Sequence, residues 1–413
     1  DVYKRQGMGA ITPIGNNLIE YSNALRKGVS GCKKIESFDA SKFKTQFACE
    51  VKSYDPLDYF DRKESRKMDI FSQFGMIATD EALLHSQLNL EKVDKNRVGV
   101  IWGSGVGGIE TFQNELIYFS ENDKNPRFNP FFIPKLIPDI CPGLIAIKYN
   151  FRGPNFATVS ACASGSNAII DSYNYIMSGT ADIIVTGGSE SAVNETGVGG
   201  FNALKALSER NESPETASRP FDRDRDGFVL GEGGGALILE EYNHAKKRDA
   251  KIYGEIIGFG MSCDAHHITA PHPQGEGAKL VMENALDNAK IKIQDVDHIN
   301  VHGTSTPLGD KSEIMAIENV FGDITEKINI CSTKSMTGHL LGAAGAIESI
   351  AAIISINESF IPPTINHFNH DEDINSNLNL TLNEFQNRDV NIAMNNTFGF
   401  GGHNTSIVFK KYN

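Results

Sequence analysis

Thr158-Val159-Ser160-Ala161-Cys162-Ala163-Ser164-Gly165-Ser166 closes a β-rich run and opens a helical one, Asn167-Ala168-Ile169-Ile170-Asp171-Ser172-Tyr173. The pattern predicts a strand-to-helix turn with Cys162 on it. Unpaired N–H groups and the positive end of a helix dipole lower a thiol's pKa there, and the thiolate is the reactive form. A small, inert core cysteine fits the same stretch. The choice rests on residues far downstream.

The second half of the chain repeats the strand, polar turn and helix. Ile299-Asn300-Val301 runs into His302-Gly303-Thr304-Ser305-Thr306, and Ile328-Asn329-Ile330-Cys331-Ser332 runs into Thr333-Lys334-Ser335-Met336-Thr337-Gly338-His339. A small-residue helix is expected over 340–355. Alternating strands and helices give an α/β class, and their recurrence points to an internal duplication. The 413 residues are long for one core, and the pattern changes at Lys246-Lys247-Arg248-Asp249-Ala250, so the expected halves are 7–250 and 251–413. Residues 1–6 are polar where a buried strand should lead into Gly7-Met8-Gly9-Ala10-Ile11, and they are expected to be a non-native extension that truncates the first strand.

Charged residues make up 22% and hydrophobic residues 40%, as in a globular protein. Glu348 and Ser349 interrupt the longest apolar stretch, so no span of roughly 20 apolar residues and no membrane insertion is expected. No apolar leader is visible, and the reading is cytoplasmic. Six cysteines without a C-x-x-C pair argue for free thiols and against a zinc site. A net charge of −13 disfavours nucleic acid and leaves an acidic partner dependent on a local basic patch. Lys63, Arg66 and Lys67 fall at helical spacing and offer one, although such runs are also ordinary solvated faces.

Two motifs mislead. Gly103-Ser104-Gly105-Val106-Gly107-Gly108 follows a strand and matches the dinucleotide fingerprint G-x-G-x-x-G, yet the segment that should close the next strand with an acid is Glu121-Asn122-Asp123-Lys124-Asn125-Pro126, a loop. A tight turn around another ligand is the better expectation. Asp222-Arg223-Asp224-Arg225-Asp226-Gly227 imitates a calcium loop but has Gly233 where the bidentate Glu belongs. An ion-paired turn is expected instead.

His302 and His339 both sit at strand-to-helix turns. Singly, each fits a structural role. With a cysteine nucleophile, two neutral imidazoles supply donors for an oxyanion, which suits thioester chemistry. Lys334 and Glu348 could pair and tune His339.

Read together, Ser160-Ala161-Cys162-Ala163-Ser164-Gly165, Val301-His302-Gly303-Thr304-Ser305-Thr306-Pro307, Lys334-Ser335-Met336-Thr337-Gly338-His339 and Asn396-Thr397-Phe398-Gly399-Phe400-Gly401-Gly402 closely resemble the elongating β-ketoacyl-acyl-carrier-protein synthases, type II most of all. The resemblance runs from Gly7 to the C-terminus. It implies a thiolase-like fold of two similar halves in a five-layered αβαβα sandwich with mixed sheets, working as a homodimer. It implies that Cys162 carries the acyl group, with the N–H groups of Cys162 and Phe400 as oxyanion hole, and that His302 and His339 bind the malonyl thioester. By the same resemblance Lys334 and Glu348 organise the site and Phe400 gates it. Thr304 and Thr306 contact the pantetheine arm, and Val106, Phe201 and Phe398 contact substrate. Lys63, Arg66, Lys67, Arg127 and Lys205 match the docking surface for acyl carrier protein. Phe128 and His403 depart from the cation and the threonine usual at their positions. The implied reaction is decarboxylative condensation in fatty-acid elongation, with no metal or other cofactor.

Three other readings compete. A papain- or caspase-type hydrolase lacks its signature here. A noncatalytic chain-length factor normally lacks the cysteine. A discrete polyketide ketosynthase shares the whole triad.

Overall fold

The computed structural model describes residues 4–412. Among these residues, ten strands make one continuous sheet. In chain order they are β1 (Lys4–Ile11), β2 (Val98–Gly103), β3 (Asn155–Thr158), β4 (Ile183–Glu190), β5 (Gly233–Glu240), β6 (Gly254–Cys263), β7 (His298–Asn300), β8 (Asn329–Cys331), β9 (Ile392–Gly399) and β10 (His403–Lys410). The first five stand in the order β3-β2-β4-β5-β1 and the last five in the order β8-β7-β9-β10-β6.

Strand directions match as well as strand order. In each half the two outer pairings are parallel and the next two antiparallel: β3/β2 and β2/β4, then β4/β5 and β5/β1. The second half repeats this as β8/β7, β7/β9, β9/β10 and β10/β6. Within the sheet, the halves join where Lys4 and Arg5 of β1 pair with Glu255 and Gly254 of β6. The duplication expected from sequence is therefore a strand-for-strand correspondence, each strand matching the one five places later.

Helices complete the five layers. Ile70–Ser86 (α1) covers the first half from outside, and Glu276–Ala289 (α4) covers the second. Ile109–Glu121 (α2) follows the glycine-rich turn, and Pro307–Phe321 (α5) follows the His302 turn. Between the two halves of the sheet lie Ser164–Met177 (α3) and Ala344–Glu358 (α6). α6 is apolar on nearly every face because sheet or helix covers it all round. It crosses α3 closely, since a Cβ on Gly345 would stand 2.1 Å from Ser166 Oγ. β4 and β5 are buried along both faces, as strands covered by helices on two sides must be.

Two expectations change. The 3₁₀ turn Leu341–Ala343 runs straight into α6, so Leu341–Glu358 does reach the length and hydropathy of a membrane span; its window is 89% buried inside the protein. Lys63, Arg66 and Lys67 do not share a long helix. Asp61 caps a single turn, Arg62–Ser65, Arg66 already ends it, and Asp69 starts α1. Lys4 and Arg5 belong to β1, pairing through their backbones with Glu240 and Leu239. Residues 1–3 lie outside the described residues.

Candidate active site

By the strand correspondence, the turn after β3 carries Cys162 and the turn after β8 carries Lys334 and His339. The turns after β2 and β7 are equivalent too, one glycine-rich and the other holding His302. Ala161, Ser305 and Leu341 in or beside these turns take φ of +51°, +69° and +47°. Left-handed backbone costs a non-glycine residue about 1–3 kcal/mol, and it collects where the fold forces a side chain into place.

The turns converge. His339 Nε2 lies 3.0 Å from Cys162 Sγ, and the His302 and His339 rings meet edge to face with centroids 5.2 Å apart. The Phe400 N–H also points at the Cys162 sulfur. Lys334 and Glu348 form a buried ion pair behind the histidines. All three of the expected reacting groups line one cavity of about 530 Å³. Val106, Phe201, Thr304, Thr306, Phe398 and Phe400 line the same cavity, and Lys205 lies on its lining as an exposed residue. Phe398 packs against His302 at 5.6 Å between centroids. Lys63, Arg66, Lys67 and Arg127 are exposed and do not line the cavity. Lys67 reaches over the Phe131 ring, 5.7 Å from its centroid, and so sits beside the segment that follows Arg127.

Burial dominates the electrostatics. It holds both imidazoles far below the usual histidine range, and the Lys334 ammonium adds to this. Both are neutral near pH 7. Burial also pushes the Cys162 thiol up to about 12, against the Lys334 charge and the Phe400 N–H. This runs opposite to the expectation of a lowered thiol pKa, because Cys162, buried in the cavity wall, loses more in hydration than it gains from helix N–H groups. The Glu348 carboxyl is likewise pushed up to about 7 by burial, with Lys334 opposing.

Two carboxylates escaped the sequence reading. Glu190, fully buried, accepts the backbone N–H of Gly105 at 2.6 Å, Val106 at 3.1 Å, Gly107 at 3.2 Å and Gly342 at 2.9 Å, and the Ser104 hydroxyl at 2.9 Å. The glycine-rich turn thus grips a side chain of its own protein where a nucleotide fold would grip phosphate. Glu313 on α5 accepts from the N–H of His302 at 2.8 Å and of Gly303 at 2.7 Å, holding the equivalent turn of the other half. The calcium-like segment is an ion-paired turn, with Arg225 Nη1 2.6 Å from Asp371 Oδ2 and its Nε 3.5 Å from Asp310 Oδ2.

A thiol and two neutral imidazoles gathered from the turns of two duplicated halves define a condensing enzyme of the thiolase-like fold. Comparison with known proteins makes the class specific. Residues 6–245 match the family described as Beta-ketoacyl synthase, N-terminal domain, and residues 253–368 match Beta-ketoacyl synthase, C-terminal domain. The chain is 46% identical over 408 residues to a 3-oxoacyl-[acyl-carrier-protein] synthase 2 of Staphylococcus aureus (strain COL), covering 98% of this chain and 97% of that protein. It superposes on a Beta-ketoacyl synthase from Burkholderia phymatum STM815 with a TM-score of 0.92 at 32% identity, covering 100% of each chain. It also matches a type II polyketide ketosynthase solved with its acyl-carrier protein, at a TM-score of 0.90 and 30% identity, covering 100% of this chain and 99% of that one. The chain belongs to the β-ketoacyl synthase family.

Proposed function

We propose that the protein is an elongating 3-oxoacyl-acyl-carrier-protein synthase, condensing acyl-carrier protein with malonyl-carrier protein in type II fatty-acid synthesis. The observation that carries this reading is the Cys162 sulfur facing His339 Nε2 at 3.0 Å, with His302 beside it in one cavity. Cys162 attacks the acyl thioester, and the carrier departs as a free thiol. The N–H groups of Cys162 and Phe400 stabilise the tetrahedral oxyanion.

Malonyl thioester then binds with its carbonyl oxygen toward the imidazoles. Neither Nδ1 has a hydrogen-bond partner among the described residues, so the ring protons are more useful on Nε2, where they can donate into the cavity. Loss of CO2 leaves an enolate held by those two donors. Its carbon attacks the acyl-cysteine, the 3-oxoacyl carrier forms, and Cys162 leaves as a thiolate that takes a proton. Neutral histidines suit this step, since a cationic ring would compete as an acid for the carbanion. Decarboxylation supplies the electron pair, so the reading requires no metal or other cofactor.

Exposed Lys63, Arg66, Lys67 and Arg127, with Lys205 at the cavity, form the docking surface for the acidic carrier. The solved polyketide relative with its carrier supports a carrier partner. A homodimer is supported by β3, an edge strand left open at the end of the sheet, and by exposed Leu116, Ile117, Tyr118, Phe131 and Ile133 nearby in sequence on and after α2. Free thiols suit a reducing cytoplasm.

The experiment is a product assay with acyl- and malonyl-carrier protein, read by mass spectrometry. The reading predicts a single two-carbon extension as 3-oxoacyl-carrier protein. Repeated extension to a poly-β-ketone would favour the polyketide alternative, which the 30% identical relative keeps in view.

A further inference from the structure

We infer that Cys32 and Cys49 form a reversible disulfide when the protein meets a peroxide, and that this bridge shifts the turn carrying His339. The short strands Lys33–Lys34 and Phe47–Ala48 are antiparallel, pairing Lys33 with Ala48 and Lys34 with Phe47. One step further along the same register, Cys32 faces Cys49. Ile35 donates its N–H to Gln46 O at 3.0 Å, which makes that pair a hydrogen-bonded one. Hydrogen-bonded and open pairs alternate, so Cys32 and Cys49 fall on an open site, where Cα atoms lie ~4.5 Å apart. Disulfides span Cα separations of ~4.4–6.8 Å. Both thiols are free and share a small core cluster with Phe47, Ala217 and Val229. The Cys49 thiol beside it, more than burial, pushes the Cys32 thiol upward.

The pair is wired to His339. A Cβ on Gly338 would stand 2.8 Å from Cys49 Sγ, so the sulfur rests on the backbone next to the histidine. Cys49 N–H bonds to Leu230 O at 2.8 Å, while His339 N–H bonds to Val229 O at 2.7 Å and Gly231 N–H to His339 O at 3.0 Å. On the other side Gly31 N–H reaches Met336 O at 2.7 Å. Drawing the two sulfurs into a bond displaces Cys49 Sγ from Gly338, and the turn loses the support it packs on.

The chemistry balances with hydrogen peroxide as oxidant. Cys32, at 6% exposure against 0% for Cys49, meets it first. Its sulfur takes one oxygen to give a sulfenic acid and one water. The Cys49 sulfur then displaces the hydroxyl as a second water, so two thiols and one peroxide yield one disulfide. A thiol held protonated reacts slowly, so the pair answers sustained rather than brief oxidant.

The test uses the full chain in a Cys162→Ala background, so that the proposed nucleophile takes no part. After peroxide and alkylation, peptide mapping should find Cys32 joined to Cys49, with two hydrogens lost and restored by dithiothreitol. Hydrogen exchange at residues 336–340 should rise several-fold on oxidation and return on reduction. In the added Cys32→Ala variant neither change should occur. Full alkylation of both cysteines while exposed Cys263 has been oxidised would overturn the disulfide. A disulfide with unchanged exchange at 336–340 would overturn the switch. Neither readout depends on the condensing reaction.

Discussion

The carboxylate of Glu190 lies 2.6 Å from the backbone nitrogen of Gly105 and occupies the glycine-rich turn as a bound anion would. That contact ties the Val106 wall of the cavity to Gly342, two residues past Leu340 and three past His339. Glu190→Ala removes the acceptor of four backbone donors and a hydroxyl, and of these the Gly107 N–H keeps Ser104 Oγ at 3.2 Å. Each unsatisfied buried donor costs about 1–3 kcal/mol, so the variant should lose several kcal/mol in chemical denaturation. Glu190→Gln keeps one acceptor oxygen and should fall between it and the natural protein.

Cys162→Ala should abolish condensation and spare decarboxylation of malonyl-carrier protein, because His302 and His339 keep their places. Labelled CO2 release alongside product analysis checks this. Condensation that survives the substitution counts against the nucleophile assignment.

Lys334 and Glu348 neutralise each other where water cannot reach. Removing one partner of a buried pair costs about 3–5 kcal/mol, since the other charge is left alone. Lys334→Met should therefore lower Tm strongly, while Lys334→Met combined with Glu348→Gln should recover part of the loss. A double variant as unstable as the single one would contradict this.

Glu232 gives stability a pH slope. Burial pushes its carboxyl up to about 8, against the Val51 N–H and the Ser191 hydroxyl, and it borders a second cavity of about 560 Å³. The folded state then holds a proton that the unfolded state has released, so this contribution is fully present below the ordinary glutamate range and fades as pH rises toward 8. Glu232 is only partly buried, which keeps the effect modest. Glu232→Gln resembles the protonated form, and its Tm should fall less than that of the natural protein between pH 5 and 8. Parallel curves would contradict the assignment.

Changing Lys63, Arg66 and Lys67 together to Glu should raise KM for carrier-bound substrate and leave small thioester analogues unaffected. The added salt dependence of KM should also shrink in the variant. Equal losses on both substrates would remove the docking surface from the account.

The three side chains that meet in the cavity, Cys162, His302 and His339, were legible because each sits where a strand pattern gives way to small polar residues and then a helix. The duplicated halves were visible for the same reason, in the runs before Cys162, His302 and His339. Glu190 and Glu313 were not legible, since their partners are backbone N–H groups, which leave no mark on a side-chain motif, in Glu190's case more than 80 positions away. The sign of the Cys162 shift was lost because periodicity says nothing about how completely a turn is shut from water. The helical spacing of Lys63, Arg66 and Lys67 did not show that their helix is a single turn, because the Asp61 and Asp69 side chains that cap it and α1 act on backbone N–H groups.

Trapping the covalent intermediate tests the central claim most directly. The protein is incubated with acyl-carrier protein alone, digested and mapped, and a second portion is chased with malonyl-carrier protein. The acyl mass should appear on the peptide bearing Cys162, absent from Cys162→Ala, and the chase should discharge it as 3-oxoacyl-carrier protein. Acyl mass on any other residue, or discharge only as free fatty acid, would contradict the condensing-enzyme account.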